Sequence, residues 1–399
     1  MIDQKKFDVR AFNVREFNVR EFNESSESSM NTTKKVSHNL RPLLVAAALA
    51  MSAVWSGVPG SNVAVVHAAP KTGVQYGKAW QTGSLPKGVS KKTVDNLANA
   101  AIGPRSNRER VRSVVIVKSD ASGDKIVYEK YHSLDKRDQA HDTMSISKSI
   151  TSALIGMLVG DGKLTLDQKA PVAAWSDPAD PRNAITIRNL LNMSTGLEWT
   201  EDYFSPESST LAMLRAPNAS AYAASLPLSV PPGTQFEYNS GNTAILMGIV
   251  TDTIGGVAAT DAFIKTRFLD PLGIKSAQFQ RDPSGRIVGF MGINMSSRDL
   301  ARFGLLYLND GVWGGKRLLP DGWVGFSRTL APTSDKYAGH WWKYQDAFEA
   351  EGFYGQFVLV SNSKKLIIVI TTATEGRAAV QWPKATGLRD ALYALFPAA

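Results

Sequence analysis

The sequence predicts an α/β (α+β) fold: one antiparallel sheet built from both chain ends, flanked by helices, with a helical lobe inserted between. Three observations predict it. Hairpin patterns rich in β-branched residues lie near the two ends, at residues 113–132 and 357–372. Each is followed by a helical pattern. Between them, over approximately residues 166–288, the chain turns to short helical stretches separated by Pro- and Gly-containing loops.

Taken in order, residues 7–26 repeat a five-residue unit (FDVRA, FNVRE, FNVRE, FNESS) that matches no heptad and stops before Met30, where a second start could lie. Residues 1–29 therefore read as an extended start or a low-complexity tail. From Met30 the pattern is that of an export signal, because Lys34, Lys35 and Arg41 precede an apolar run and Val66-His67-Ala68 offers small residues for cleavage. Residues 30–68 are thus expected to be a signal peptide, leaving Ala69 first in a periplasmic or secreted protein of residues 69–399. The rival reading is a membrane anchor, but the run is about 16 residues before Gly57 and Pro59 break it, short of the ~20 a bilayer needs. No stable membrane anchor is expected after cleavage.

Composition narrows the function classes. With 43% hydrophobic and 20% charged residues the chain is neither a disordered nor a polytopic membrane protein. It has no cysteine, which excludes a lipid-anchored lipoprotein, disulfides, a thiol nucleophile and Cys-ligated metal. The formal net charge of +9 is spread thinly, without a dense basic block interleaved with aromatics, so no nucleic-acid partner is expected.

The first hairpin joins SVVIVK (113–118) to KIVYEKYH (125–132), and the second joins FVLVS (357–361) to LIIVITT (366–372). After the first, Ile146, Ile150, Leu154 and Leu158 recur four apart, with Thr143 as expected N-cap and Gly160 or Gly162 as stop. After the second, Leu388, Leu392 and Leu395 line one helical face. A cleft between sheet and lobe is the natural place for a site. No repeat of 20–50 residues is evident.

Ser145-Ile146-Ser147-Lys148 is the first chemical candidate. A lysine three residues after a serine on a helix reaches the same face, where it can take the hydroxyl proton once burial lowers its pKa. Ser84, Ser122 and Ser361 also begin S-x-x-K, but only Ser145 opens a long apolar-patterned helix. The alternative is a helix-start serine beside a surface lysine. Tyr238, in Tyr238-Asn239-Ser240, could serve as a proton donor or acceptor across the cleft, or be a packed aromatic with a wet hydroxyl. Gly352-Phe353-Tyr354-Gly355-Gln356 enters a strand, and its glycines would let a substrate approach backbone N–H groups as an oxyanion hole requires.

Other chemistries fit less well. There is no G-x-S-x-G elbow, no Walker loop and no G-x-G-x-x-G after a strand, and the five histidines lack metal spacing. No cofactor and no metal are expected. Acid-pair hydrolysis stays open, since carboxylates are plentiful and nothing singles out two.

The ordered set S-x-x-K, Y-x-x, G-x-x-G resembles the serine β-lactamase and D,D-peptidase superfamily. Residues 186–197 (TIRNLLNMSTGL) look like that family's LLxHTSGL segment, and residues 296–324 like its long helix-and-turn signature. Within it the chain is most similar to the class C-like esterase branch that includes 6-aminohexanoate-dimer hydrolases, through Glu201-Asp202-Tyr203 and GFYGQ. The resemblance implies a β-lactamase-like fold with Ser145 as nucleophile, Lys148 and Tyr238 sharing its proton, and the N–H groups of Ser145 and Phe353 binding the oxyanion. It adds Gly352, Gln356 and Tyr203 as substrate-side residues. Trp341 and Trp342 could line the pocket or be structural. Two positions depart from the pattern: Ser240 stands where Asn is usual, and Ala350 where a Lys or His begins the K-T-G strand.

The expected activity is hydrolysis of small linear esters or amides, including 6-aminohexanoate-type oligomers, through an acyl-enzyme. A D,D-carboxypeptidase or β-lactamase is the second reading, which Ala350 disfavours. A non-enzymatic binding protein on the same fold is the third.

Overall fold

The computed structural model describes residues 80–106, 109–121, 123–375 and 378–399. The expectations for residues 1–29 and 30–68, the start at Ala69, and the turn residue Ser122 lie outside the described residues. The main sheet has eight strands: β1 (Gln81–Thr82), β2 (Val111–Asp120), β3 (Gly123–Tyr131), β4 (Tyr337–Ala338), β5 (Trp341–Tyr344), β6 (Ala347–Gly352), β7 (Gln356–Ser361) and β8 (Leu366–Thr372). Their order is β1-β3-β2-β8-β7-β6-β5-β4, antiparallel throughout except where β1 runs parallel to β3. The two chain ends meet at the β2–β8 seam, where Ile116 pairs with Ile368 and Val114 with Ile370.

Both faces of the central strands are covered, which is why their sequences run apolar without a polar alternation. Along β8, Ile367 and Val369 enter the core on one face, while Leu366, Ile368 and Ile370 enter the core on the other. The second face is closed by α1 (Lys91–Ile102), which buries Val94, Ala98 and Ile102, and by α5 (Ala378–Leu395), which adds Leu388 and Leu392. On the first face lie α2 (Ile146–Gly160) and α4 (Ser297–Leu308). Gly304 lets α4 lie flat on the sheet, since a Cβ there would stand 3.0 Å from Val358 and 3.1 Å from Ile367.

Between the hairpins the chain forms short helices at Ile187–Leu191, Ser209–Arg215 and Ala219–Ser225, and then α3 (Ser240–Ile254). Every residue of α2 from Ile146 to Leu158 is buried. Its polar side chains are therefore obliged to find partners. Ser149 donates to His340 O at 2.6 Å, Ser152 to Gly339 O at 2.9 Å and Thr151 to Gly289 O at 2.9 Å. These bonds clamp α2 between two loops.

Candidate active site

Ser145 occupies the N-cap of α2 with helical backbone angles, and its hydroxyl makes no capping bond. The residue before it, Met144, has φ 49°, a left-handed conformation that costs a non-glycine residue about 1–3 kcal/mol. Thr143, expected as the cap, is not one. Its hydroxyl donates to Ile293 O at 2.8 Å and lies 3.1 Å from Ser147 Oγ, which accepts from Ile293 N–H at 3.0 Å. Thr143 and Ser147 are thus spent on tying the helix entry to the neighbouring loop. The Ser145 hydroxyl is left for Lys148, whose Nζ donates to Ser145 Oγ at 3.0 Å.

Lys148 is 1% exposed, donates also to Phe290 O at 3.2 Å, and holds its ammonium 4.9 Å from the Tyr238 ring centre. Burial lowers its amine from the ordinary lysine range to about 8, against an opposing pull from Glu201. Burial and then Glu201 push the Tyr238 phenol up, and a hydrogen bond with Ser145 acts the other way. Amine and phenol therefore converge on one serine oxygen. His340, deep beside them, is lowered to about 3 by burial and by Lys148, and its ring atoms bond Thr243 Oγ1 at 3.0 Å and Leu191 O at 2.9 Å.

The opposite wall comes from the end of β6. A Cβ on Gly352 would stand 2.4 Å from Thr143 O, so only glycine lets this strand close against the segment leading into Ser145. Phe353 follows, its ring stacked on Tyr203 at 5.9 Å and edge-on to Trp382 at 5.4 Å. Trp342 stacks on Tyr238 at 5.5 Å. This aromatic wall continues through Tyr337 to Phe236, which lines a groove of about 570 Å³ together with Pro332 and Lys336.

One alternative is decided and one expectation changes. Trp341 is core rather than pocket: it is 1% exposed and packs on Tyr307 at 4.4 Å and Phe348 at 5.0 Å. Gln356 is fully buried with both amide atoms engaged by Thr372, its oxygen accepting from the Thr372 N–H at 2.9 Å and its nitrogen donating to Oγ1 at 2.7 Å. That amide holds β7 to β8 rather than facing a substrate. Ala350 is fully buried on the face of β6 that shares the core with α2.

Sequence reasoning missed Glu201 as a site residue. Its carboxylate accepts from Trp199 Nε1 at 2.6 Å, Tyr203 OH at 2.9 Å, Ser240 N–H at 2.9 Å and Ser240 Oγ at 2.5 Å. Only its place next to Tyr203 hinted at it. Among the described residues no group of three His, Asp or Glu is placed to hold a metal ion.

The beta-lactamase family model matches residues 98–391. The chain belongs to the beta-lactamase family. A relative, the 6-aminohexanoate-dimer hydrolase of Paenarthrobacter ureafaciens, is 26% identical over 245 residues, which cover 55% of this chain and 62% of that protein. The match spans less than two thirds of the relative's length. A solved Bacillus anthracis structure assigned as a 6-aminohexanoate-dimer hydrolase has a TM-score of 0.63 at 21% identity, over 79% of this chain and 86% of that one. EstCE1, described as a hydrolase with promiscuous acyltransferase activity, has a TM-score of 0.55 at 15% identity, over 76% of this chain and 98% of that one. These two likenesses carry the beta-lactamase-like fold, and the sheet order and flanking helices agree with the sequence expectation of that fold.

Proposed function

We propose that this beta-lactamase-family chain is a serine hydrolase that cleaves small linear esters or amides through an acyl-enzyme on Ser145. The observation that carries the reading is the 3.0 Å contact between Ser145 Oγ and the buried amine of Lys148, lowered to about 8. An amine in that range is partly neutral near pH 7 and can take the serine proton as Oγ attacks the carbonyl carbon. The oxyanion then forms beside the N–H groups of Ser145 and Phe353. Collapse expels the alcohol or amine, which takes a proton from Tyr238, and the phenol is recharged from Lys148. Burial pushes the Tyr238 phenol up, so it is protonated at neutral pH and suited to donating. Water repeats the sequence in reverse and frees the acid. Tyr203 is proposed to bond the scissile amide, and Trp342 to wall the pocket. We also propose export on the strength of residues 30–68.

The substrate class is read from Ala350, where the family pattern has a Lys or His. Ala350 gives β6 no cation to meet a substrate carboxylate, a charge-assisted bond worth roughly 1.5–3 kcal/mol. Esters need no such anchor. Labelling with a fluorescent phosphonate, followed by peptide mapping, is expected to mark Ser145, and Ser145→Ala to lose hydrolysis of p-nitrophenyl butyrate by several orders of magnitude. Ser361→Ala retains it, because Ser361 bonds Ser363 and Tyr393 in β7. An active Ser145→Ala enzyme overturns the mechanism. Preference for nitrocefin over the ester overturns the substrate class and favours a cell-wall reading.

A further inference from the structure

Glu201 stands out among the groups that the proposed chemistry does not use. A carboxylate can accept about four hydrogen bonds, and this one is filled by four donations from Trp199, Tyr203 and Ser240, with Thr210 Oγ1 a fifth at 3.4 Å. Among the described residues no lysine or arginine hydrogen-bonds to it. Two of the donors belong to Ser240, which is fully buried and two residues after Tyr238. Next to it, a Cβ on Gly241 would stand 2.7 Å from the Trp199 ring, so the loop bearing Tyr238 and the loop bearing Glu201 are packed without slack.

The small Ser240 side chain is what brings the carboxylate in. Its hydroxyl donates to Oε1 at 2.5 Å, where the longer Asn usual in the Tyr-x-Asn pattern would compete for the space Glu201 fills. We infer that Glu201 is a positioning residue of the Ser145 centre: it fixes Tyr203 and the Tyr238-bearing loop by hydrogen bonds, and it sets the charge balance of the Lys148–Tyr238 pair with a built-in anion. This assignment rests on the proposed Ser145 mechanism.

Charge near the pair supports it. Lys148 feels Glu201 and, with opposite sign, bears on His340, whose pKa is low enough to leave the ring neutral. Tyr238 feels Glu201 and Glu351, and burial raises the Glu351 carboxyl. The neighbouring phenols Tyr203 and Tyr337 are themselves pushed up by burial and then by Glu201 or Tyr238. Glu201 is the anion common to Lys148, Tyr238, Tyr203 and Tyr337. It holds a proton on Lys148 more firmly than burial alone would, so the base is poised rather than permanently neutral.

Glu201→Gln separates charge from shape. Oε2 accepts from two N–H groups, of Trp199 and Ser240, and distantly from Thr210 Oγ1, all of which the amide oxygen can serve, whereas the Oε1 partners are hydroxyls, which can accept from an amide nitrogen. The network survives while the charge goes. The acid limb of kcat/KM for p-nitrophenyl butyrate is expected to move to lower pH by about one unit, because Lys148 gives up its proton sooner without the anion. Ser240→Ala keeps the charge and removes one donor, so its limb stays in place while kcat falls several-fold. Thermal melting of both variants reports the fold. A Glu201→Gln limb that coincides with the wild type, with Ser145→Ala inactive, overturns the Glu201 assignment alone. If Glu201→Gln does not fold, a shifted limb in Ser240→Ala overturns it. An active Ser145→Ala overturns the mechanism beneath it.

Discussion

Under the proposed mechanism a single buried lysine decides most of the chemistry, because the fold denies it water. Since the amine of Lys148 is lowered to about 8 while the Tyr238 phenol is pushed up, the two titrate in opposite directions from each other's ordinary range. The proposed mechanism needs the neutral amine. Ester hydrolysis is therefore expected to rise with pH through a midpoint near 8 and to fall about tenfold per unit well below it, in a profile of kcat/KM against pH. No alkaline loss is expected where an ordinary phenol ionises. The midpoint belongs to the coupled pair rather than to either residue. A pH-independent rate from pH 6 to 9 contradicts this assignment. Ser145 and Lys148 are legible in the sequence, because S-x-x-K at a helix start is a local pattern, while Tyr238 gains its role only through the resemblance that the ordered motifs carry. Glu201 is not legible, because its Ser240 partner is 39 positions away and a carboxylate carries no signature of who donates to it.

The elements differ in how openly the sequence announces them. β2, β3, β7 and β8 were legible within a few residues, since β-branched runs between turn residues have no competing interpretation. β4, β5 and β6 were not, because stretches such as WWKY and AFEAEG lack that signal and owe their pairing to the neighbour laid on before them, β6 on β7, β5 on β6 and β4 on β5. Helix α1 was also unread, and α5 begins upstream of the expected Leu388 face. The end of β6 gives the sharpest test at this scale. Gly352→Ala adds a methyl 2.4 Å from Thr143 O, a backbone atom that cannot rotate away. Strand and helix entry must part, carrying the Phe353 N–H away from Ser145. Loss of one aligned oxyanion donor costs about 10²- to 10³-fold in kcat, while the melting temperature is expected to drop only modestly. Unchanged kcat in this variant counts against an oxyanion site at this junction.

For the molecule as a whole, the decisive fact is that neither end of the chain builds the sheet alone. Arg112 Nε donates to Thr372 O across 260 positions, and Arg112 and Glu375 pair at 2.8 Å beside it. Ending the chain after Asn362 removes β8 and α5, leaving β2 and β7 with bare edges and the second core uncovered. Such a truncation is expected to lose cooperative melting and to be cut throughout by limited proteolysis. A protease-resistant core in the shortened chain shows that the two ends fold independently and is inconsistent with the seam as the organiser.

The same seam has a consequence in time. Synthesis delivers β2 and β3 early and β8 almost last, so the newborn chain carries the apolar edge of β2 without its partner for most of its elongation. Under the export proposal that delay is useful, because a translocation channel that admits only extended polypeptide meets a chain with nothing yet able to close. It is also a hazard. An exposed strand edge made of Val114, Val115, Ile116 and Val117 is a template for pairing with other chains, and a chaperone that keeps this protein threadable would have to cover that stretch first.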